Sequence, residues 1–424
     1  MSLRHKLFKN TSIYLGANIL NAGIPFLLLP ILTRVLTPAD YGIVAMFGIA
    51  LSVFGAFTGL SVHGAIGVRY FQLEKKELAE YVGTCVGILV VSSSVLFLLV
   101  ALLGSWLAEV SGVPSDWLLA AVILSGLQFL ANIRLSLWQV SGEAKRYGAF
   151  QITQSLLNAA ISLILILSVG MAWEGRVFGQ AVAVTLFGVI ALLLLLRDGV
   201  LQLPSEWRVH SRDALKFGVP LIPHVIGGLL IVSADRFIIV RLIDVAQVGI
   251  YMVAVQVGQA LGLITESFNK AYAPWLMKNL SKPTEALRLK IVRGTYFYFV
   301  IVLMTATIFG LLAPLFVGFL VGKSFHAAGE LVVYIALGFA FSGCYFMVTN
   351  YIFFESKTKL LAYLTFFTGL VNIPLMFILV EKNGITGAGQ AFMVTNALSF
   401  VGTWWLAQKV HPMPWLKAFR YTAS

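Results

Sequence analysis

The chain has 424 residues, of which 59% are hydrophobic and 11% charged, with a formal net charge of +12 at pH 7. Soluble globular domains carry about 25% charged residues, so this composition excludes a soluble enzyme or binding domain and points to an all-α polytopic membrane protein. The basic balance does not indicate nucleic acid, because the cations lie in short loops between apolar segments, where topology and anionic lipid account for them.

In chain order, MSLRHKLFK precedes an apolar run that is long for a secretory leader and lacks a small-x-small cleavage site, so it reads as a retained first span. Twelve candidate spans follow from apolar stretches of membrane-crossing length. The first half holds them at 11–32, 41–66, 82–107, 117–138, 149–170 and 176–196. The second half holds them at 214–239, 248–269, 292–320, 330–353, 360–380 and 385–408. None shows sustained period-two alternation, so the spans are helices, which satisfy their backbone groups internally as lipid demands.

Loop charge sets the orientation. With the N-terminus cytoplasmic, all but six of the 30 basic residues fall on the inner side, which places both termini inside. The six exceptions, Arg34, Arg176, Arg236, Arg241, Lys323 and Lys382, lie in outer turns or upper helix ends. Cys85 and Cys344 sit within apolar segments without metal-ligand spacing and read as core residues.

Sliding the chain against itself by 207 positions aligns Arg34 with Arg241, Ala39 with Ala246, Gly42 with Gly249, Ile43 with Ile250 and Gly55 with Gly262. Later, GQA at 179–181 recurs at 389–391, and Glu143-Ala144-Lys145 answers Glu355-Ser356-Lys357. The chain therefore reads as two six-helix halves, 1–205 and 206–424. An even number of spans per half relates them by an axis along the membrane normal.

Helix faces suggest where polar chemistry lies. Tyr14, Asn18, Asn21 and Pro25 share one face of span 1, and Ala45, Gly48, Ser52, Gly55, Gly59 and His63 form a small-residue stripe on span 2. On span 8, Gln256, Gln259, Glu266 and Lys270 fall within about 80° of one another. Such a polar stripe is costly against lipid; Glu266 and Lys270 read equally well as an i,i+4 ion pair or as a substrate or coupling site. Span 7 carries Pro220 and Pro223, which predict a break or bend. His224 and Asp235 share a face there, and Arg236 points elsewhere. Asp235-Arg236 reads either as snorkelling at the outer interface or as part of the site, and His63 and His224 read individually as structural histidines. No phosphate-binding GxxxxGK[ST], metal-ligand set or acidic outer loop is present in the sequence.

Three stretches, LPILTRVLTPADYGIVAM, SADRFIIVRLIDVAQVGIYMVA and NGITGAGQA, resemble polysaccharide-export flippases of the multidrug/oligosaccharidyl-lipid/polysaccharide exporter superfamily. That resemblance implies two six-helix bundles around a central cavity lined by spans 1, 2, 7 and 8. It implies translocation of undecaprenyl-diphosphate-linked oligosaccharide by alternating access, across the inner membrane of a bacterium, for O-antigen and lipopolysaccharide, capsule or exopolysaccharide. No cofactor is implied, and coupling to membrane potential, H+ or Na+ is open, with Asp235 and Glu266 the carboxylates to test. A cationic path of Arg34, His63, His224, Arg236, Arg241 and Lys270, beside a polar face of Asn18, Asn21, Gln256 and Gln259, is expected to take the diphosphate. Membrane lipids, a polysaccharide polymerase and a chain-length regulator are the expected partners, and nucleic acid is not. The competing readings are a multidrug or cation antiporter of the same superfamily, a lipid-linked peptidoglycan precursor flippase and a membrane glycan polymerase.

Overall fold

The computed structural model describes residues 16, 20–21, 23–281, 284–355 and 357–417. Among these the secondary structure is helical, with no strand. Nine of the described helices are long and apolar enough to cross a membrane, and Gly23–Val35 is a shorter apolar helix.

In order the helices are α1 (Gly23–Val35), α2 (Pro38–Phe57), α3 (His63–Arg69), α4 (Lys75–Ser111), α5 (Ser115–Val140), α6 (Ala144–Leu167), α7 (Trp173–Arg197), α8 (Trp207–Gly218), α9 (Ile222–Leu242), α10 (Val245–Leu280), α11 (Glu285–Leu320), α12 (Ala328–Phe354) and α13 (Thr358–Val410). Ten of the twelve predicted spans fall on the nine long apolar helices and the seventh on α9, while of the first span residues 11–15, 17–19 and 22 lie outside the described residues. The last two spans are joined in α13, which breaks at Gly384, where φ is 58° and ψ −142°. Only glycine tolerates that backbone readily, so the pair of spans is divided by one residue.

Packing divides the chain into two compact units, Met1–Val240 and Arg241–Ser424. In the first, α5 is the hub: it packs on α2, α3, α4, α6 and α7, and 61% of its apolar window is buried against 17% for α4. In the second, α12 is the hub against α10, α11 and α13. Each hub coincides with the fourth predicted span of its half. The packing boundary after Val240 lies beyond the expected boundary after residue 205, and the linker helix α8 packs within the first unit on α3 and α4.

The 207-residue offset also has a local structural meaning. Thr37 caps the N-terminus of α2, accepting the Asp40 N–H at 3.2 Å while Asp40 Oδ2 accepts the Thr37 N–H at 2.9 Å. At the aligned position, Asp244 caps α10 by accepting the Gln247 N–H at 2.8 Å. Helix end, short turn and side-chain cap are thus duplicated with different chemistry, each satisfying an otherwise orphaned amide.

Two expectations are corrected. Span 2 does not run unbroken through His63. After Phe57 a single tight turn, Thr58–Ser61, places Gly59, Leu60 and Ser61 at φ of 70°, 49° and 58°. The Phe129 ring lies where a Cβ on residue 59 would sit, 2.2 Å away, and Ser92 Oγ accepts the Gly59 N–H at 2.8 Å. The small-residue stripe therefore stays helical only as far as Gly55, and His63 opens a separate helix.

Span 7 likewise starts later than expected. Residues 207–218 form the separate amphipathic helix α8, a single turn at Val219–Leu221 carries Pro220, and α9 begins at Ile222 with Pro223 in its first turn. Proline is compatible with a first turn, where its missing N–H has no helical partner. The break expected at these prolines is present.

Candidate functional site

The linker and α8 lie against α3, α4 and α5 through a series of specific bonds. Arg134, buried beneath the Trp138 ring at 4.5 Å, pairs with Asp198. Gln202 donates its N–H to the Ala79 carbonyl at 3.1 Å, and Glu80 accepts the Ser205 N–H at 3.0 Å and its hydroxyl. Arg69 then clasps Asp213 with Nε to Oδ2 at 2.9 Å and Nη2 to Oδ1 at 2.5 Å, while the Tyr81 hydroxyl donates to Oδ2 at 2.9 Å. The guanidinium fork holds the Asp213 carboxyl below its ordinary range. None of these partners belonged to the expected site.

The expected residues form local pairs within single helices. On α9, Asp235 and Arg236 are both buried and bonded to one another, Arg236 Nη1 to Asp235 Oδ1 at 2.9 Å. Arg236 was expected to point away from Asp235; its guanidinium turns back onto the neighbouring carboxylate instead, because burial of either charge alone costs several kcal/mol. On α10, Glu266 and Lys270 are exposed and joined at 2.7 Å as the i,i+4 pair. Gln256 is half-buried and Gln259 exposed on the same helix.

Arg34 is exposed, and its Nη1 reaches back to the Pro30 carbonyl of its own helix at 2.9 Å. Arg241 is exposed in the last turn of α9. His63 packs edge-on against Phe129 with ring centroids 5.2 Å apart, and its buried Nδ1 has no hydrogen-bond partner among the described residues. Asn21 is half-buried, with a buried Oδ1 that accepts no hydrogen bond among the described residues. Asn18 and the His224 side chain lie outside the described residues.

A different cation forms a built cluster. Arg176, near the start of α7, donates from Nη1 to Asn158 Oδ1 at 2.6 Å and to Ser162 Oγ at 3.1 Å, both on α6. The Ser162 hydroxyl in turn lies 3.3 Å from the Arg176 carbonyl and from Asn158 Oδ1. The helices approach closely here, since a Cβ at Gly179 would lie 2.2 Å from Ser162 Oγ. Arg176 forms no ion pair among the described residues, which include every Asp and Glu of the chain. A guanidinium held by neutral oxygens keeps its full charge and favours an anion beside it. The sequence signal was present: Arg176 was one of six displaced cations, and Asn158 and Ser162 are spaced i,i+4 on one helix.

Residues 7–280 match the family described as polysaccharide biosynthesis protein. The chain belongs to that family. It is 24% identical over 364 residues to the "Lsg locus putative protein 1" of Haemophilus influenzae, covering 84% of this chain and 87% of the relative. An "uncharacterized membrane protein" of the same organism is 25% identical over 377 residues, with 87% and 89% covered. Among solved structures, the lipid II flippase MurJ in an inward closed conformation superposes with a TM-score of 0.74 at 14% identity, covering 97% of this chain and 89% of that one. An inward-facing multidrug resistance MATE family transporter of the MOP superfamily gives 0.69 at 13% identity, with 97% and 96% covered. At such identities the likeness concerns the fold. This family member is a multi-pass membrane protein with the fold of MOP-superfamily transporters.

Proposed function

We propose that this protein is a flippase that moves undecaprenyl-diphosphate-linked oligosaccharide repeat units from the cytoplasmic to the outer leaflet by alternating access. The observation that carries this reading is the family match over residues 7–280. Arg176 supports an anionic cargo: a diphosphate requires cations where the dielectric is low, and among the described residues this guanidinium hydrogen-bonds to neutral Asn158 and Ser162. The lipid tail need not leave the bilayer during such a movement.

The same reading places the protein in the bacterial inner membrane with both termini cytoplasmic, working beside a polymerase and a chain-length regulator. Coupling to membrane potential, H+ or Na+ belongs to this proposal. Asp235 and Glu266 each begin inside an ion pair, so using either carboxylate for coupling requires that pair to open. Lys270 and Arg236 are their counter-charges, and substrate phosphate would compete for them.

A second reading, a multidrug antiporter, is favoured by the likeness to the MATE fold. One experiment separates the two. In proteoliposomes holding undecaprenyl-diphosphate-linked glycan, the flippase makes the glycan accessible to an added glycosidase on the opposite face. Unchanged accessibility with active protein, together with uptake of a cationic dye, would replace the flippase by the antiporter.

A further inference from the structure

The linker helix forms one wall of a groove in the first unit. The cavity, of about 430 Å³, lies between one face of α4 from Ile88 to Leu99, the end of α2 at Phe57, and Trp207, Ser211 and Leu215 of α8. Its lining is almost wholly apolar. Of its two serines, Ser92 already accepts the Gly59 N–H, and Ser211 turns its hydroxyl towards the Arg208 carbonyl at 3.4 Å. The α4 face rises about 16 Å over these residues, close to half of a hydrocarbon core of about 30 Å, so its length suits one leaflet's chain. Val91, Val95 and Leu99 on this face remain exposed.

Trp207 closes one end. Its ring lies over Gly87, where a Cβ would come within 2.4 Å of it. On α8 the groove-lining residues recur at i, i+4 and i+8, and the adjacent row, about 60–100° round the helix, carries Arg208 and Arg212. Both are exposed, and neither forms an ion pair among the described residues. The acidic groups in contact with the linker have partners of their own: Asp213 is clasped by Arg69, Glu80 is bonded to Ser205, and Glu77 lies 4.0 Å from His210. An interfacial tryptophan, an apolar slot one leaflet deep and two free guanidiniums at its mouth are the complementary parts of a lipid with an anionic head.

We infer that this groove is a binding site for one anionic glycerophospholipid of the leaflet in which α8 lies, an acyl chain along α4 and the phosphate on Arg208 and Arg212. The bound lipid fills the gap beneath the linker helix and holds it to the broken end of α2. The site lies outside the Arg176 cluster and does not depend on the identity of the transported cargo.

Native mass spectrometry of the full chain, with phosphatidylglycerol and phosphatidylcholine of identical chains in competition, tests this. The expected result is a preference for phosphatidylglycerol of roughly 25-fold, each interfacial arginine contributing about fivefold. Arg208→Gln with Arg212→Gln removes the preference while the protein stays folded, both residues being exposed. Leu96→Trp, which fills the slot, removes both lipids. Equal retention of the two lipids by the unaltered protein overturns the proposal, as does an undiminished preference in the double variant. Displacement of phosphatidylglycerol by equimolar undecaprenyl phosphate also overturns it, assigning the groove to a polyprenyl chain.

Discussion

Arg69 and Asp213, far apart in sequence, meet in a two-pronged clasp that joins α3 to the linker helix, with bonds of 2.9 and 2.5 Å. Each side chain is about one-third exposed, at 32% and 34%, so solvent screening reduces the pair's value below that of a buried bridge. Arg69→Gln or Asp213→Asn is therefore expected to cost about 1–2 kcal/mol of stability. Thermal unfolding of both single variants and the double variant in detergent measures it. Strictly additive losses would show that the clasp contributes nothing as a pair.

The clasp also predicts a pH dependence. Arg69's hydrogen bonds, then the Tyr81 hydroxyl, hold the Asp213 carboxyl below its ordinary range. A depressed carboxylate adds stability above its unfolded value of about 3.9 and loses it as pH falls through the folded value. The melting-temperature gap between the unaltered protein and Asp213→Asn should stay constant from neutral pH down to about 5 and close only below about 4. A gap that closes near pH 6 would mean another group carries the effect.

Arg176→Gln should abolish most transport without unfolding the protein, because glutamine can still bond Asn158 and Ser162. Loss of a charge-assisted contact of about 1.5–3 kcal/mol corresponds to roughly a 10- to 100-fold drop in rate. Surface polymer in a complemented deletion strain, normalised to protein level, reports it, with Arg176→Lys retaining part of the activity. Full polymer in Arg176→Gln would remove this residue from the site.

Close approach of the linker to α4 predicts where the linker can be freed. A Cβ on Gly83 would lie 1.8 Å from the Gln202 carbonyl oxygen, so Gly83→Ala must push the strand of linker away. Faster cleavage within residues 199–206 by limited proteolysis is the expected outcome. An unchanged rate would show that the linker is held by Arg134 and Glu80 alone.

The paired caps predict equal but independent losses. Thr37→Ala and Asp244→Ala should each lower stability by about 1 kcal/mol, and the double variant should lose the sum, since the caps lie in different units. Chemical unfolding of the three variants is the measurement.

The sequence by itself determined the membrane class, the helical character of the apolar spans and the family, because these depend on hydrophobicity along the chain and on residue types at short fixed spacing. It also exposed the Glu266–Lys270 pair, which is a property of one helix. Only the tertiary structure decided that span 2 breaks at Gly59, since the cause is the Phe129 ring from α5. The same holds for Asp213, whose neighbours in sequence give no sign of Arg69 or Tyr81. Arg176 was visible as a displaced cation, yet its neutral partners on α6 appear only when α6 and α7 pack. Periodicity reports which face of a helix is apolar; it cannot report which helix that face will meet, and charge pairing follows from the meeting.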